Sequence, residues 1–208
     1  MPGRLLPIFP LGIALLPHER LPLHIFEDRY KEMIGGCIEQ GSEFGVVLQK
    51  GEGILRSGCT ASIEAVVKRY GDGRMDIMTV GRRRFEIREL DTGRAFLQAE
   101  VTFIQDEEFE EPPEQAAARA LEAYQALTSA EPAPMRDAPE LSFRLAAASD
   151  DQDFRQVLLS ILSESERMEK VAEHLAWLVF KRRTQRVMKK VAKSNGHGRH
   201  VSGFGEGL

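Results

Sequence analysis

The amino-acid sequence predicts an α+β fold: a twisted β-sheet or partly closed barrel with one inserted helix, followed by an α-helical bundle. Three observations predict it. From the amino terminus to about residue 105, apolar residues run in short stretches or alternate at period 2, with glycine-bearing turns between them. One segment in that half, Asp28 to Ile38, carries its apolar residues at helical spacing instead. Beyond an acidic, proline-punctuated connector the pattern changes to period 3.6.

The elements follow in order. Leu5–Phe9 reads as a buried strand, followed by a turn and a second extended piece. In the inserted helix Tyr30, Met33, Ile34, Cys37 and Ile38 share a face, and Gly41 is the expected stop. Gly35-Gly36 inside it costs about 1 kcal/mol per glycine relative to alanine, which a close helix–sheet contact would explain. Phe44–Leu48 suits a strand buried on both faces. Cys59, Ala61, Ile63, Ala65 and Val67 alternate with more polar neighbours, so these five are expected to point inward. Gly71-Asp72-Gly73 supplies a tight turn into a return strand at Met75, Ile77 and Thr79. Phe85 and Ile87 mark another strand, and Leu97, Ala99, Val101 and Phe103 one more.

Asp106, Glu107, Glu108, Glu110 and Glu111, with Pro112-Pro113, read as a solvated linker. Helices are then expected over Glu114–Leu127, Glu140–Ala148 and Asp153–Leu162. Ser163-x-x-Glu166 is a capping box that opens a last helix, with an apolar stripe of Met168, Val171, Leu175, Leu178 and Val179, running to about Val191. The expected division is residues 1–111 for the β-rich part, 112–192 for the helical part, and a flexible glycine-rich tail over 193–208.

Composition narrows the function classes. The 208 residues are 42% hydrophobic and 29% charged, ordinary globular values, and the net charge of −4 differs from that of a globally basic nucleic-acid binder. Cys37 and Cys59 form neither a disulfide framework nor a paired-thiol metal site, which favours a reducing cytoplasm. The longest uncharged apolar stretch, Leu5 to Pro17, is 13 residues and holds three prolines, too short for a membrane span and a poor secretory signal.

Chemical motifs are sparse. No Gly-x4-Gly-Lys-Ser/Thr phosphate loop and no Gly-x-Ser-x-Gly elbow occurs. His18 reads as a turn residue, His24 as a strand residue with a satisfied ring, and His174 as exposed; none is expected to hold a metal. His197 and His200 could chelate only weakly from the tail. Arg82-Arg83-Arg84 is either an anion patch or a strand entry with Arg83 in solvent and its neighbours paired with carboxylates, and the second is favoured. From Lys181 to Lys193 there are seven basic residues and no acid, either a solvated helix end or a contact for an anionic surface.

Several strings carry a family resemblance. Leu6-Pro7-Ile8-Phe9-Pro10-Leu11, then Leu21-Pro22-Leu23-His24-Ile25-Phe26-Glu27-x-Arg29-Tyr30, then Phe44-Gly45-Val46-Val47 resemble the amino-terminal substrate-binding domain of Lon proteases. The resemblance continues, in order, through Gly58-Cys59-Thr60-Ala61-x-Ile63, Gly73-Arg74, Gly81-x-Arg83-Arg84-Phe85-x-Ile87, Ser142-Phe143-Arg144-Leu145-Ala146 and Glu166-Arg167-Met168. It covers about residues 5 to 180.

The resemblance implies a PUA-like twisted β subdomain followed by an α-helical bundle. It implies a non-catalytic module that binds unfolded or apolar polypeptide segments. The ATPase and serine–lysine peptidase modules of the full protease have no counterpart in these 208 residues, so no enzymatic activity and no cofactor are expected. Glu27, Arg29 and Tyr30 match the family's pattern and are the candidate peptide-binding residues; a structural role, with the ion pair fixing the helix entry and the ring in the core, is the alternative. Two rival functions are an adaptor that docks a specific protease or chaperone through its helices, and, by fold analogy, an RNA-binding module, against which the acidic net charge argues. No membrane partner is expected.

Overall fold

The computed structural model describes residues 5–106, 112–128 and 133–195. Among the described residues, six strands and one helix come first: β1 (Leu6–Leu11), β2 (Arg20–Ile25), α1 (Asp28–Gln40), β3 (Phe44–Lys50), β4 (Gly53–Arg69), β5 (Met75–Asp91) and β6 (Gln98–Phe103). Then follow α2 (Glu114–Leu127), α3 (Leu141–Ala146), α4 (Gln152–Leu158) and α5 (Glu164–Asn195). The expected boundary at 111/112 falls at the edge of a stretch outside the described residues. Of the expected tail, 193–195 continue α5, and 196–208 lie outside the described residues.

The strands form one mixed sheet in the order β2-β5-β4-β3-β1-β6. β1 runs parallel to β3, and every other pairing is antiparallel. The sheet curls until β6 pairs with both β5 and β1. The β1–β6 contact is short, with Leu6 opposite Ala99 and Pro7 opposite Gln98, so the barrel is only partly closed.

β5 is a single 17-residue strand where two separate ones are expected around Thr79 and Phe85. Its first half pairs with β2 and β4, its second with β4 and β6. The intervening Gly-Arg-Arg-Arg does not break it, because the β1–β2 loop lies against Gly81. The Gly81 carbonyl accepts the His18 N–H at 2.9 Å, and its own N–H donates to the Glu19 carbonyl at 2.9 Å. A Cβ at position 81 would stand 2.1 Å from the Leu16 carbonyl oxygen, so only glycine fits.

Two apolar clusters result. Ile8, Val47, Phe85, Ile87 and Ala99 fill the barrel, with Phe85 fully buried. Gly45 and Gly58 make room for that ring, since a Cβ at either would lie 2.7 Å from Phe85 Cζ. The larger cluster joins the other face of the sheet to α1 and the carboxy-terminal helices, bringing Phe9, Ile34, Phe44 and Ile77 together with Ala117, Phe143, Leu158 and Leu175.

Several local expectations are corrected. β4 shifts register between Cys59 and Ala61, Ile63 and Ala65, and Val66 and Lys68. Each bulge changes the phase of alternation, so Val67 is 66% exposed while Val66 packs on the core. Gly35 and Gly36 have no atom within 4 Å of a Cβ position, so no close helix–sheet contact explains them; Gly36 instead lines an open cleft with Pro7, Arg94 and Phe96. The helix expected over Asp153–Leu162 stops at Leu158. Beyond it the turn tightens, Ser160 N–H donating to the Val157 carbonyl at 3.2 Å and Ile161 N–H to that of Leu158 at 3.3 Å. The Leu159 and Ile161 carbonyls go to the Arg84 guanidinium at 3.1 and 2.6 Å, and Leu162 is outside any helix and 39% exposed. The capping hydroxyl does start α5: Ser163 Oγ accepts the Glu166 N–H at 3.2 Å.

Buried arginines tie the sheet to the helices. Arg84 on β5 and Arg167 on α5 both donate to Asp106, just beyond β6. Arg167 also reaches Glu164 Oε2 at 2.6 Å, and Glu164 in turn accepts the Ser142 hydroxyl at 2.7 Å and the Ser142 N–H at 2.9 Å. The Arg84 and Arg167 guanidiniums stand 5.2 and 4.5 Å from the Phe143 ring centre. Arg155 on α4 donates to the Ala14 carbonyl at 2.9 Å and pairs with Glu19, fastening the β1–β2 loop.

Candidate functional site

The candidate residues Glu27, Arg29 and Tyr30 sit where β2 turns into α1. Alternation along β2 buries Ile25 and turns its neighbours outward. Glu27 is the N-cap residue, with extended backbone, and its carbonyl accepts the N–H groups of Tyr30 at 3.0 Å and Lys31 at 2.9 Å. Its side chain does not cap the helix. Glu27 Oε2 instead takes Arg29 Nε at 2.8 Å and Nη2 at 2.7 Å.

The Arg29 guanidinium lies 4.5 Å from the centre of the Tyr30 ring. That ring is buried and packs, tilted by 33°, against Phe9 with centroids 4.1 Å apart. Burial raises the Tyr30 phenol pKa; Arg29 opposes the shift and Glu27 adds to it. Glu27 and Arg29 are thus a surface pair over a core ring. Tyr30 presents little of itself to a ligand.

The outward residues of the same corner were not among the candidates. Phe26 is 59% exposed and stacks on His24 at 6.0 Å. His24 Nδ1 lies 2.5 Å from Asp76 Oδ1 on β5, directly opposite in register, and the Tyr70 hydroxyl donates to Asp76 Oδ2 at 2.8 Å. These two bonds, His24 first, hold the Asp76 carboxyl below the usual carboxylate range. Tyr70 meets His24 edge-on at 5.9 Å and carries the Lys68 and Arg74 cations near its face, at 4.5 and 5.0 Å. The β4–β5 turn is drawn in as Lys31 Nζ donates to the Asp72 carbonyl at 3.4 Å. The result is an open aromatic surface rimmed by both signs of charge. Its signal in the sequence is parity: with Leu21, Leu23 and Ile25 inward, Phe26 is an aromatic on the outward set with Pro22 and His24.

β2 is also the sheet edge, pairing only with β5 among the described residues. Pro22, in its middle, has no N–H for an added strand, a known way of blunting an edge. This corner therefore offers side chains more than backbone.

The remaining candidates sit elsewhere. His18 takes a left-handed backbone, φ 66°, and its Nε2 lies 2.7 Å from the carboxylate of Glu140, whose own φ is 50°. His174 is half-buried rather than exposed: its ring stacks on Phe154 at 3.7 Å, its Nε2 lies 2.8 Å from Ser149 Oγ, and desolvation lowers its pKa. Arg82 donates to the Ser62 hydroxyl at 2.8 Å rather than to a carboxylate, while Arg83 is exposed to solvent as expected and also meets Glu43 at 3.0 Å and covers Phe103 at 3.9 Å. Among the described residues no group of three or more His, Cys, Asp or Glu could hold a metal, and no helix is long and apolar enough to cross a membrane. His197 and His200 lie outside the described residues.

A second concave surface, about 590 Å³, lies between α2 and the loop before α3. Three of the four carboxylates that line it are engaged already: Glu114 with Arg136, Glu140 with His18, Glu164 with Arg167.

Fold and corner together define a class: an α+β domain built on a partly closed mixed barrel, with its free aromatic surface open rather than enclosed. Residues 5–176 match the family model of the ATP-dependent protease La (LON) substrate-binding domain, and the chain belongs to that family. The Lon N-terminal domain protein of Xanthomonas campestris has a similar structure, with a TM-score of 0.68 at 26% identity, covering 84% of this chain and 98% of that one. The N-terminal domain of the Mycobacterium avium complex Lon protease shares the fold, with a TM-score of 0.61 at 17% identity, covering 83% of this chain and 98% of that one. The Lon protease of Parabacteroides distasonis is 29% identical over 113 residues, 50% of this chain, and the chain spans 14% of that protein's length.

Proposed function

We propose that this chain binds unfolded or apolar polypeptide segments without chemical turnover, at the β2–α1 corner around Phe26. The observation that carries the reading is an aromatic ring 59% exposed beside an ion pair, in a domain of the Lon substrate-binding family. Phe26 supplies apolar contact, His24 and Tyr70 extend it, and Glu27 and Arg29 offer one acceptor and one donor to a peptide backbone. Side-chain contact is the mode, because Pro22 interrupts the edge that strand addition would use. Affinity is modest, in the micromolar range or weaker, since a flexible peptide loses chain entropy on binding.

A photoreactive phenylalanine analogue at position 26 tests the location. In cells it should trap many different polypeptides, whereas the same analogue at Val67, exposed on β4, should trap few. Equal trapping at both positions would remove the corner from the account.

A further inference from the structure

The 32-residue helix α5 changes character along its length. Its first half buries Met168, Val171, Ala172 and Leu175 in the core. That face ends where Arg182 Nη1 donates to the Leu127 carbonyl at 2.8 Å, at the end of α2. From there to Lys189 every residue except the half-buried Thr184 is exposed.

The core stripe continues in sequence as Arg182, Arg186 and Lys189, at the three- and four-residue spacing that keeps one face. A different apolar stripe begins about half a turn round the axis. Trp177, Phe180, Val187 and Met188 are 51%, 67%, 60% and 68% exposed. With Thr184, the positions 177, 180, 184 and 187 follow the alternating three–four spacing of a coiled-coil seam. Lys181 and Arg183 flank it, and the Lys181 ammonium stands 4.7 Å from the Trp177 ring centre. The family match ends at residue 176, so the seam begins where the matched domain stops.

We infer that the exposed half of α5 docks an acidic amphipathic helix of a different polypeptide, in coiled-coil fashion. Charge selects this occupant. Residues 181–193 hold seven basic groups and no acid, so a second copy would place like charges along the seam. A nucleic acid on Arg182, Arg186 and Lys189 would leave Phe180, Val187 and Met188 in water, and a narrow seam at three–four spacing fits the ridge of a partner helix more closely than the broad plane of a lipid surface. A helix with leucines on its seam and glutamates beside it satisfies both the stripe and its flanks. This surface is separate from the Phe26 corner, and either reading can fail without the other.

The test uses the full chain and a synthetic three-heptad peptide with leucine at the seam and glutamate at the flanks. Its counterpart carries lysine at the flanks. The glutamate peptide should bind at least about tenfold tighter, and amide exchange over residues 183–189 should slow on binding. F180S combined with V187S should abolish binding with the melting temperature unchanged, both side chains being exposed. Equal affinity for the two peptides would overturn the proposal. So would tighter binding to single-stranded RNA or phosphatidylglycerol vesicles, or dimerisation of the chain through the same residues.

Discussion

Asp106 faces two guanidiniums whose side chains are 2% and 0% exposed, those of Arg84 and Arg167. Removing its charge leaves, among the described residues, Arg84 buried without a carboxylate and Arg167 with Glu164 alone. Asp106→Asn should therefore destabilise the fold by about 3–5 kcal/mol, measured by urea unfolding; a cost under about 1 kcal/mol would show the cluster to be solvated. These arginines stood in strings that carried the family resemblance, Arg84 before Phe85 and Arg167 after Glu166, yet their burial was not legible there. Charged residues are almost never buried without a partner, and the shared partner, Asp106, lies 22 and 61 positions away in sequence. His174 adds a pH dependence. Above an unfolded pKa of about 6.5 both states are neutral and its full contribution is present; as pH falls below that, the unfolded chain takes up a proton that the desolvated folded ring resists. The fall in melting temperature between about pH 7.5 and 5.5 should thus be smaller in His174→Gln than in the parent chain. An equal fall in both would mean that the ring is freely hydrated.

At the scale of elements, periodicity placed most of the structure. The helix expected over Glu114–Leu127 has those bounds, and Phe44–Leu48 lies wholly buried within β3. Where local pattern misled, a long-range contact decided. Bulges in β4 reversed the phase of Val67, the loop resting on Gly81 let β5 run through the arginine triplet, and the chain after α4 turned its Leu159 and Ile161 carbonyls onto Arg84. The candidate site was half legible. Glu27, Arg29 and Tyr30 point, by resemblance, to the corner we propose as the site, but its exposed ring is Phe26, which only strand parity distinguishes from a core residue. The glycine pair of α1 gives the cleanest test at this scale. With nothing within 4 Å of a Cβ, Gly36→Ala gains helix propensity without a clash and should stabilise the protein by about 0.5–1 kcal/mol. Destabilisation on thermal melting would mean that the cleft beside Gly36 is filled.

Across the whole molecule, the β-rich and helical parts share their principal core, in which Phe44 and Ile77 join Phe143 and Leu175. We propose that the division near residue 111 is one of architecture and not of stability. Calorimetry should show a single transition with van't Hoff and calorimetric enthalpies equal; two transitions would separate the halves. The aromatic corner and the far half of α5 stand as separate surfaces, one rimmed by mixed charge and one basic. Their salt responses distinguish them, because apolar contact survives screening and attraction between exposed charges does not.

The most direct measurement is an anisotropy titration of a labelled unfolded peptide against the parent chain and Phe26→Ser, at low and at moderate salt. The ring is 59% exposed, so the substitution should leave the melting temperature within experimental error. The parent chain should bind with micromolar or weaker affinity, little changed by salt, and Phe26→Ser should lose about fivefold or more. Unchanged affinity in Phe26→Ser, or no binding by the parent chain at high concentration, would contradict a peptide site at this corner.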